Sequence, residues 1–438
     1  MKVLFISGEL IGSAVVHQLI KEGHDVKLYI DHEDRQDCFD GIVERVESWE
    51  DELDWVGKDG LIVFDDVTFA GEQDRLREAG YSVFGGDSKS DKLEIDRLHF
   101  HDVLEAHGIK TLRAYNFETA DEAERFIREQ NGSKKWVLKQ SSHIGMLNYV
   151  GQRQDGQDVF DMLKIYREKN ISPVHIQQRA EGIEIGVGRY FNGNDWVGPI
   201  EVNLEHKPLC NGDIGPLTAE MGTVIWYEND ETLPLYQETL AKLKPYLQEI
   251  NYKGDIDIDC IVNAEGVWPL EATMRFGTPS TELQCELHES PWGDFMKAIA
   301  DGQPYDLQYK TDYGIVVSVV IPPFPFAPEI FGDSNIETCQ GVSVFFKDNF
   351  SKEDMEHVHF EEVSRTVSDD GQERYYLSGK HGYALYATGH GETVEEAQQK
   401  AYDIIKKIII PEMFYRTDIG DKFVREDRQQ LKDWGWIK

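Results

Sequence analysis

The sequence has few basic residues for its length. Lysine and arginine together number 45 against 81 aspartates and glutamates, which gives 438 residues a formal net charge of -36. A surface this acidic repels phosphate backbones and anionic lipid heads, so generic nucleic-acid binding is not expected. Any anionic substrate must be held by local cations or by a metal ion. Adaptation to high salt accounts for the acidity equally well.

Cysteine and long apolar segments are also scarce. The five cysteines are widely spaced and form no CxxC pair, as in proteins that keep free thiols in a reducing compartment. No stretch approaches 18 consecutive apolar residues, and the N-terminus lacks the segments of a signal peptide. These absences predict a cytoplasmic protein that does not associate with membranes.

What is present is the pattern of a multidomain globular protein. Hydrophobic residues make up 40% of the chain, and the length suits two to four packed units. Strand and helix patterns predict four parts, with boundaries at 1–88, 89–182, 183–305 and 306–438. The first part alternates strands and helices as a doubly wound α/β domain does. It lacks a full GxGxxG pattern, so Gly8 and Gly12 indicate a tight strand–helix turn rather than a dinucleotide site.

The most informative segment is a predicted hairpin, GDIDIDCIVNAEGVWPLEATMRF. Asp255, Asp257 and Asp259 alternate with apolar residues and therefore share one strand face. An odd-length turn would bring Asp257 opposite Glu271 or Thr273 on the second strand. Such a cluster offers the hard oxygen ligands that Mg²⁺ prefers. The alternative is a solvated strand face with incidental acids.

The hairpin also carries a family resemblance. Gly254-x-x-Asp257 followed by Leu270-Glu271-Ala-Thr273 resembles the paired metal-binding strands of ATP-grasp ligases. The resemblance implies that Asp257, Glu271 and Thr273 hold Mg²⁺ (or Mn²⁺) against the phosphates of ATP, with Asp259 off the metal. Thr273 stands where the family usually has asparagine.

Longer motifs narrow the resemblance to one family. PLEATMRFGTPSTE, EHKPLCNGDIGPLTAEMGTV and FYRTDIG are similar to segments of the phosphoribosylamine–glycine ligases, over nearly the whole chain. The resemblance implies an α/β and α+β multidomain fold: an N-terminal doubly wound α/β domain, a two-lobed ATP-grasp core and a small C-terminal α/β domain. It implies an ATP-dependent carboxylate–amine ligase of purine biosynthesis that joins glycine to phosphoribosylamine through an acyl phosphate.

The same resemblance assigns residues to the site position by position. The implied catalytic residues are Lys207 and Arg275, the second as a stabiliser of the acyl phosphate and the oxyanions. The implied ATP-binding residues are Arg97, Lys139, Ser141, Ser142, Gln177, Gln178, Arg179, Ala180 and Glu184. The implied substrate-binding residues are Asp213, Gly215, Pro216 and Thr218, among which Asp213 orients the amino group of glycine.

Two departures from the family leave the acceptor open. The loop after Lys139 contains one glycine, at Gly145, where the family has several, and the N-terminal segment Gly8-Glu9-Leu10-Ile11-Gly12 lacks the family's arginine. A phosphorylated sugar favours a guanidinium or a helix N-terminus. A ligase that uses another amine (a modified base, a nucleotide or an amino acid) therefore stays an alternative, as does an inactive scaffold homologue.

Overall fold

The computed structural model describes residues 1–69, 71–130, 135–139, 148–326, 339–369 and 371–438. In these ranges the chain forms several sheets flanked by helices, which confirms the mixed α/β multidomain class. None of the helices described is both long and apolar enough to cross a bilayer.

The N-terminal part is a parallel sheet in the order β3-β2-β1-β4-β5. Its strands are β1 Lys2–Ser7, β2 Asp25–Ile30, β3 Glu44–Arg45, β4 Leu61–Phe64 and β5 Val83–Phe84, with helices α1 Ser13–Lys21, α2 Leu53–Val56 and α3 Glu72–Glu78 and short 3-10 turns Glu33–Arg35 and Glu50–Glu52. The connections reverse direction between β1 and β4, so the carboxyl ends of these two strands form the edge where doubly wound sheets bind ligands. Gly12 packs against Phe5, where a Cβ would meet the ring at 2.5 Å, as expected of a tight strand–helix turn.

The next part is a small antiparallel sheet in the order β6-β9-β7-β8. Its elements are α4 Asp91–Ile95, α5 Arg97–Ala106, β6 Ala114–Phe117, α6 Ala120–Glu129, β7 Trp136–Lys139, β8 Tyr149–Val150, α7 Gln157–Glu168 and β9 Val174–Gln178. The sequence predicts one helix up to Gly108, and that prediction is wrong. Asp96 adopts an extended conformation, and its carboxylate accepts hydrogen bonds from the N–H groups of Leu98 and His99, so a second helix starts there.

The centre of the molecule is an eight-stranded sheet in the order β16-β15-β10-β11-β14-β17-β22-β19. Its strands are β10 Ile183–Asn192, β11 Trp196–Glu205, β14 Gly222–Glu228, β15 Lys253–Asn263, β16 Gly266–Thr273, β17 Tyr313–Val320, β19 Val358–Phe360 and β22 Tyr383–Gly391; between β11 and β14 lies the hairpin β12 Pro208–Cys210 and β13 Ile214–Leu217. The sheet continues across the predicted boundary at 305/306, since β17, β19 and β22 extend it. The four-part division stays a prediction.

Helices and a second small sheet cover this centre. They are α8 Pro234–Glu238, a 3-10 turn Leu240–Leu243, α9 Lys244–Ile250, α10 Ser280–Leu287, α11 Trp292–Ala300, α12 Lys352–Met355, α13 Val394–Ile405, a π-helical turn Phe423–Asp427 and α14 Arg428–Trp434, with strands β18 Ser343–Phe346, β20 Val363–Val367, β21 Glu373–Leu377 and β23 Ile408–Ile409. The largest buried apolar cluster includes residues of both central and C-terminal segments, from Ile185 to Ile405. The C-terminal segments are therefore packed into the same core as the central strands.

Candidate active site

The register of the β15–β16 hairpin decides which acidic residues meet. Asp259 lies opposite Glu271, and Asp257 lies opposite Thr273, so all four share one face as the sequence predicts. The predicted odd-length turn is wrong, because the pairing of Asn263 with Gly266 leaves a two-residue turn. A register shift between Asp259 and Cys260 supplies the extra residue and restores equal parity.

Lys207 lies at the centre of four carboxylates that come from four strands. Its Nζ is 3.1 Å from the carboxylates of Glu184, Asp259 and Glu271 and 2.9 Å from that of Glu205. Burial opposes the charge of Lys207, but the carboxylates, Asp259 foremost, outweigh it and raise the pKa of Lys207 well above its usual range. We name Lys207 with Glu184, Glu205, Asp259 and Glu271 the Lys207 cluster.

The acids of the Lys207 cluster differ in their protonation behaviour. Burial, followed by the charge of Glu205, raises the pKa of Asp259 well above its usual range. The ammonium of Lys207 lowers the pKa of Glu271, which is half exposed. Glu271 is therefore the ionised, accessible carboxylate, whereas Asp259 depends on nearby cations to stay ionised.

Asp257 lies beside the Lys207 cluster rather than in it. Its Oδ2 accepts a hydrogen bond of 2.9 Å from Asn203 Nδ2. Oxygens of Glu184, Glu205 and Asp259, by contrast, lie within 4.8 Å of one another, as a metal ion requires. The structure pairs Asp257 with Thr273, one of the two partners that the sequence predicts for it, and pairs Asp259 with Glu271. Metal binding by Asp257, Glu271 and Thr273 stays a prediction.

Two further cations flank the cluster. Lys139 ends β7 and Arg97 begins α5, and the charges of both residues act on the Glu271 carboxylate and lower its pKa. Burial, and then the charge of Arg97, lower the pKa of Lys139 to about 8. The structure therefore brings Arg97, Lys139 and Lys207 around the Glu271 carboxylate, and their roles toward ATP stay predictions.

Strand β9, which carries the implied ATP-binding residues Gln177 and Gln178, pairs with β7. Gln177 is buried, and its Nε2 has no hydrogen-bond partner among the described residues. The backbone N–H of Gln178 is bonded to Arg113 O at 2.8 Å, and the Arg179 guanidinium is held by Gly151 O at 2.7 Å. Gln177 thus offers a free buried donor, and the ATP contacts of Gln177, Gln178, Arg179 and Ala180 stay predictions. Ser141 and Ser142 lie outside the described residues.

The predicted substrate loop supports Lys207 and is tied to the C-terminal segment. Thr218 donates from Oγ1 to the backbone oxygen of Lys207 at 2.7 Å. Asp213 forms an ion pair of 2.9 Å with Arg416, which is 2% exposed and also pairs with Asp418 at 2.8 Å. Arg416 was not predicted from the sequence as a site residue, although it belongs to the FYRTDIG motif. Gly215 and Pro216 lie in β13, and their contact with substrate stays a prediction.

Arg275 follows the hairpin and points to the N-terminal sheet. Its Nε is 3.0 Å from Glu94 Oε1, and its pKa is raised because Glu94 and Asp66 outweigh the effect of burial. Asp66 is the second residue after β4, at the carboxyl edge of the parallel sheet. Arg275 therefore lies between the Lys207 strands and this edge, and Glu94, which the sequence did not single out, fixes its orientation.

Two family models match the chain. "Phosphoribosylglycinamide synthetase, ATP-grasp (A) domain" matches residues 96–281, and "Phosphoribosylglycinamide synthetase, C domain" matches residues 347–422. Together they cover more than half of the chain. The chain belongs to the phosphoribosylglycinamide synthetase family. It is accordingly an ATP-grasp ligase that forms a C–N bond and uses ATP with a divalent metal ion.

Individual relatives agree with this membership. A phosphoribosylamine–glycine ligase of Streptococcus pneumoniae is 26% identical over 374 residues, which cover 82% of this chain and 83% of that protein. The corresponding ligase of Pyrococcus furiosus is 22% identical over 98% of this chain and 97% of its own length. The crystal structure of phosphoribosylamine–glycine ligase from Thermotoga maritima superposes with a TM-score of 0.68 at 20% identity, covering 96% of this chain and 100% of that one.

Substitution of Lys139 is expected to weaken ATP binding and to slow turnover. The Lys139→Met variant should raise the KM for ATP and lower turnover, because it removes one of few cations set against a polyanion. The loss in transition-state stabilisation should be about 2–4 kcal/mol, the size of one preorganised electrostatic contact. Steady-state kinetics with varied ATP measure it, and an unchanged dependence on ATP would remove Lys139 from the site.

The lowered pKa of Lys139 also predicts a pH dependence of ATP binding. Below about pH 8 the side chain is protonated and attracts phosphate; above it the charge is lost. Calorimetric ATP affinity should therefore weaken by up to about tenfold from pH 7 to 9, with proton uptake on binding. The Lys139→Arg variant, which stays charged, should show a flat profile. A wild-type profile as flat as that of the variant would contradict the assignment.

Proposed function

We propose that this ligase phosphorylates the carboxylate of glycine with ATP and transfers the glycyl group to the amine of phosphoribosylamine. The carboxylate oxygen attacks the γ-phosphorus and ADP leaves. The amine then attacks the acyl carbon and loses a proton, while inorganic phosphate departs with the former carboxylate oxygen. The observation that carries the proposal is the Lys207 cluster beside Lys139 and Arg97, which supplies cations and hard oxygens at one place.

The carboxylates of the Lys207 cluster fit Mg²⁺, with Mn²⁺ as the other candidate. Asp259 Oδ1 is buried without a hydrogen-bond partner among the residues that the structure describes, so this oxygen is available as a metal ligand. Oxygen-only ligands are those that Mg²⁺ prefers. We propose that Asp259 and Glu271 hold the ion, which when bound neutralises the charge of the ATP phosphates.

In this proposal, cations of the chain orient and stabilise the reacting groups. Lys139 and Arg97 bind the phosphates of ATP. The ammonium of Lys207 balances the negative charge of the carboxylates in the Lys207 cluster while ATP is bound. Arg275, held by Glu94, stabilises the acyl phosphate and the oxyanion of the second step. Asp213 and Thr218 act mainly by fixing the loop that carries Lys207. A cytoplasmic site of action belongs to the same proposal.

One observation favours a different acceptor amine. The Asp65 carboxylate accepts hydrogen bonds from the N–H groups of Gly8 at 3.1 Å and Gly12 at 2.9 Å, and from Ser7 Oγ at 2.6 Å. A carboxylate of the chain itself thus takes the backbone donors that a phosphate would use at this sheet edge. An amine without a phosphate group is therefore the second candidate acceptor.

Release of ADP with a matched panel of substrates tests the proposal. Glycine with phosphoribosylamine should support turnover, whereas glycine with non-phosphorylated amines should not. Turnover with another amine alone would establish the second candidate. The Glu271→Gln variant provides the background of uncoupled ATP hydrolysis. If no pair of substrates stimulates ADP release and calorimetry detects no ATP binding, the chain is an inactive homologue and the proposal fails.

A further inference from the structure

A second group of potential ligands lies on the N-terminal sheet, separate from the Lys207 cluster. His32 and Asp34 follow β2, and His381 lies in the turn that leads into β22. One ligand atom from each of the three lies within 4.8 Å of the others. The two imidazole rings are 5.5 Å apart between centroids, and His381 Nε2 is 3.8 Å from Asp34 Oδ2. We name these three residues the His32 group.

The His32 group has polar atoms that are available to bind a ligand. His32 Nδ1 is buried and has no hydrogen-bond partner among the described residues. Lys380 contacts Asp34 Oδ1, which leaves Oδ2 facing His381. The three residues therefore bring two imidazole rings and one carboxylate oxygen to one place.

We propose that the His32 group binds a divalent transition-metal ion of the Zn²⁺ class. Two imidazole nitrogens and one carboxylate oxygen suit Zn²⁺, Co²⁺ or Ni²⁺ better than Mg²⁺, which prefers oxygen ligands only. Three protein ligands leave a fourth position for water or for a small anion. The Lys207 cluster contains only oxygen ligands and no imidazole, and its carboxylates already surround an ammonium group.

A metal ion here would join distant segments of the chain. Asp34 and Lys380, which are 346 positions apart, are in contact, and the buried Arg35 pairs with Glu361 next to them. Coordination of the ion would cross-link the loop after β2 to the turn before β22. Because a preformed site binds the metal only in the folded state, binding should raise the stability of the whole protein.

Metal titration of the tag-free, metal-stripped full chain tests the proposal. Competition with a chromophoric chelator should reveal one tight Zn²⁺ site per chain, and Co²⁺ should give visible bands of a low-coordinate nitrogen–oxygen site. Each of His32→Gln and His381→Gln should weaken binding by more than about 100-fold, beyond the 10–100-fold typical of a lost supporting partner. Zn²⁺ should raise the unfolding temperature of the wild type but not that of His32→Gln or His381→Gln.

Controls make the result decisive. His107→Gln, at the end of α5 and outside both groups of potential ligands found in the described ranges, should keep the tight site. Circular dichroism shows whether each variant folds, and Lys380→Met, which keeps all three ligands, should still bind one equivalent. No tight site in the wild type, or an equally tight site in His32→Gln and His381→Gln, would overturn the proposal.

Discussion

Glu271→Gln is expected to fold normally and to lose phosphoryl transfer, with kcat reduced by about 10²–10³-fold. The substitution keeps the size of the side chain and deletes the charge of the most exposed carboxylate of the Lys207 cluster. Lys207 retains its contacts with Asp259, Glu184 and Glu205, so stability should change little. Circular dichroism, ATP turnover and Mg²⁺ dependence measured together test this expectation.

The matched control for Glu271 is Glu265→Gln. Glu265 lies exposed in the two-residue turn of the same hairpin, and its loss should leave activity intact. The sequence places Asp259 off the metal and predicts a much smaller effect there. We propose the opposite, because Asp259 faces Glu271 and contacts Lys207 at 3.1 Å. Asp259→Asn should therefore be nearly as damaging, and activity comparable to wild type in both variants would refute the metal assignment.

Lys207→Met is expected to cost about 3 kcal/mol of unfolding free energy. Removing one partner of a buried ion pair costs 3–5 kcal/mol because it leaves uncompensated charge. The lower end applies here, since the Glu271 carboxylate is half exposed to solvent. Chemical denaturation measures the change. Millimolar Mg²⁺ should stabilise the variant more than the wild type, because a cation can replace the lost ammonium.

Lys242→Met serves as the control for Lys207→Met. Lys242 forms an exposed pair with Glu238 one helical turn away, and such pairs contribute about 0.3–0.5 kcal/mol. A Lys207→Met variant as stable as Lys242→Met would show that the four carboxylates do not depend on the ammonium. The Lys207 cluster would then lose its interpretation as a charge-balanced site.

The sequence predicted the strands of the site well and their contacts less well. Alternating acids placed Asp257, Asp259 and Glu271 on one face, because side-chain parity follows from the strand period alone. It missed the register shift next to Asp259, since a bulge depends on local packing that composition does not encode. The pairing of Asp259 with Glu271 and of Asp257 with Thr273 follows from that single shift.

Contacts between segments that are distant in the chain were also not predicted from the sequence. Lys207 was identified from the family motif, but its position among four strands depends on the order of the central sheet. Arg416, Glu94 and Asp65 complete the site from segments that are distant in the chain. No local pattern marks Glu94 or Asp65, and the FYRTDIG motif does not show that Arg416 pairs with Asp213. The break at Asp96 likewise became visible only in the structure, although aspartate is a favoured N-cap residue.

Transfer of labelled oxygen tests the central claim most directly. The claim is that this chain activates a carboxylate as an acyl phosphate at the Lys207 cluster. With glycine labelled by ¹⁸O in its carboxylate and the acceptor amine that supports turnover, mass spectrometry of the released phosphate should find one ¹⁸O atom per ADP formed. Phosphate that carries only unlabelled oxygen, alongside stoichiometric ADP, would contradict the account.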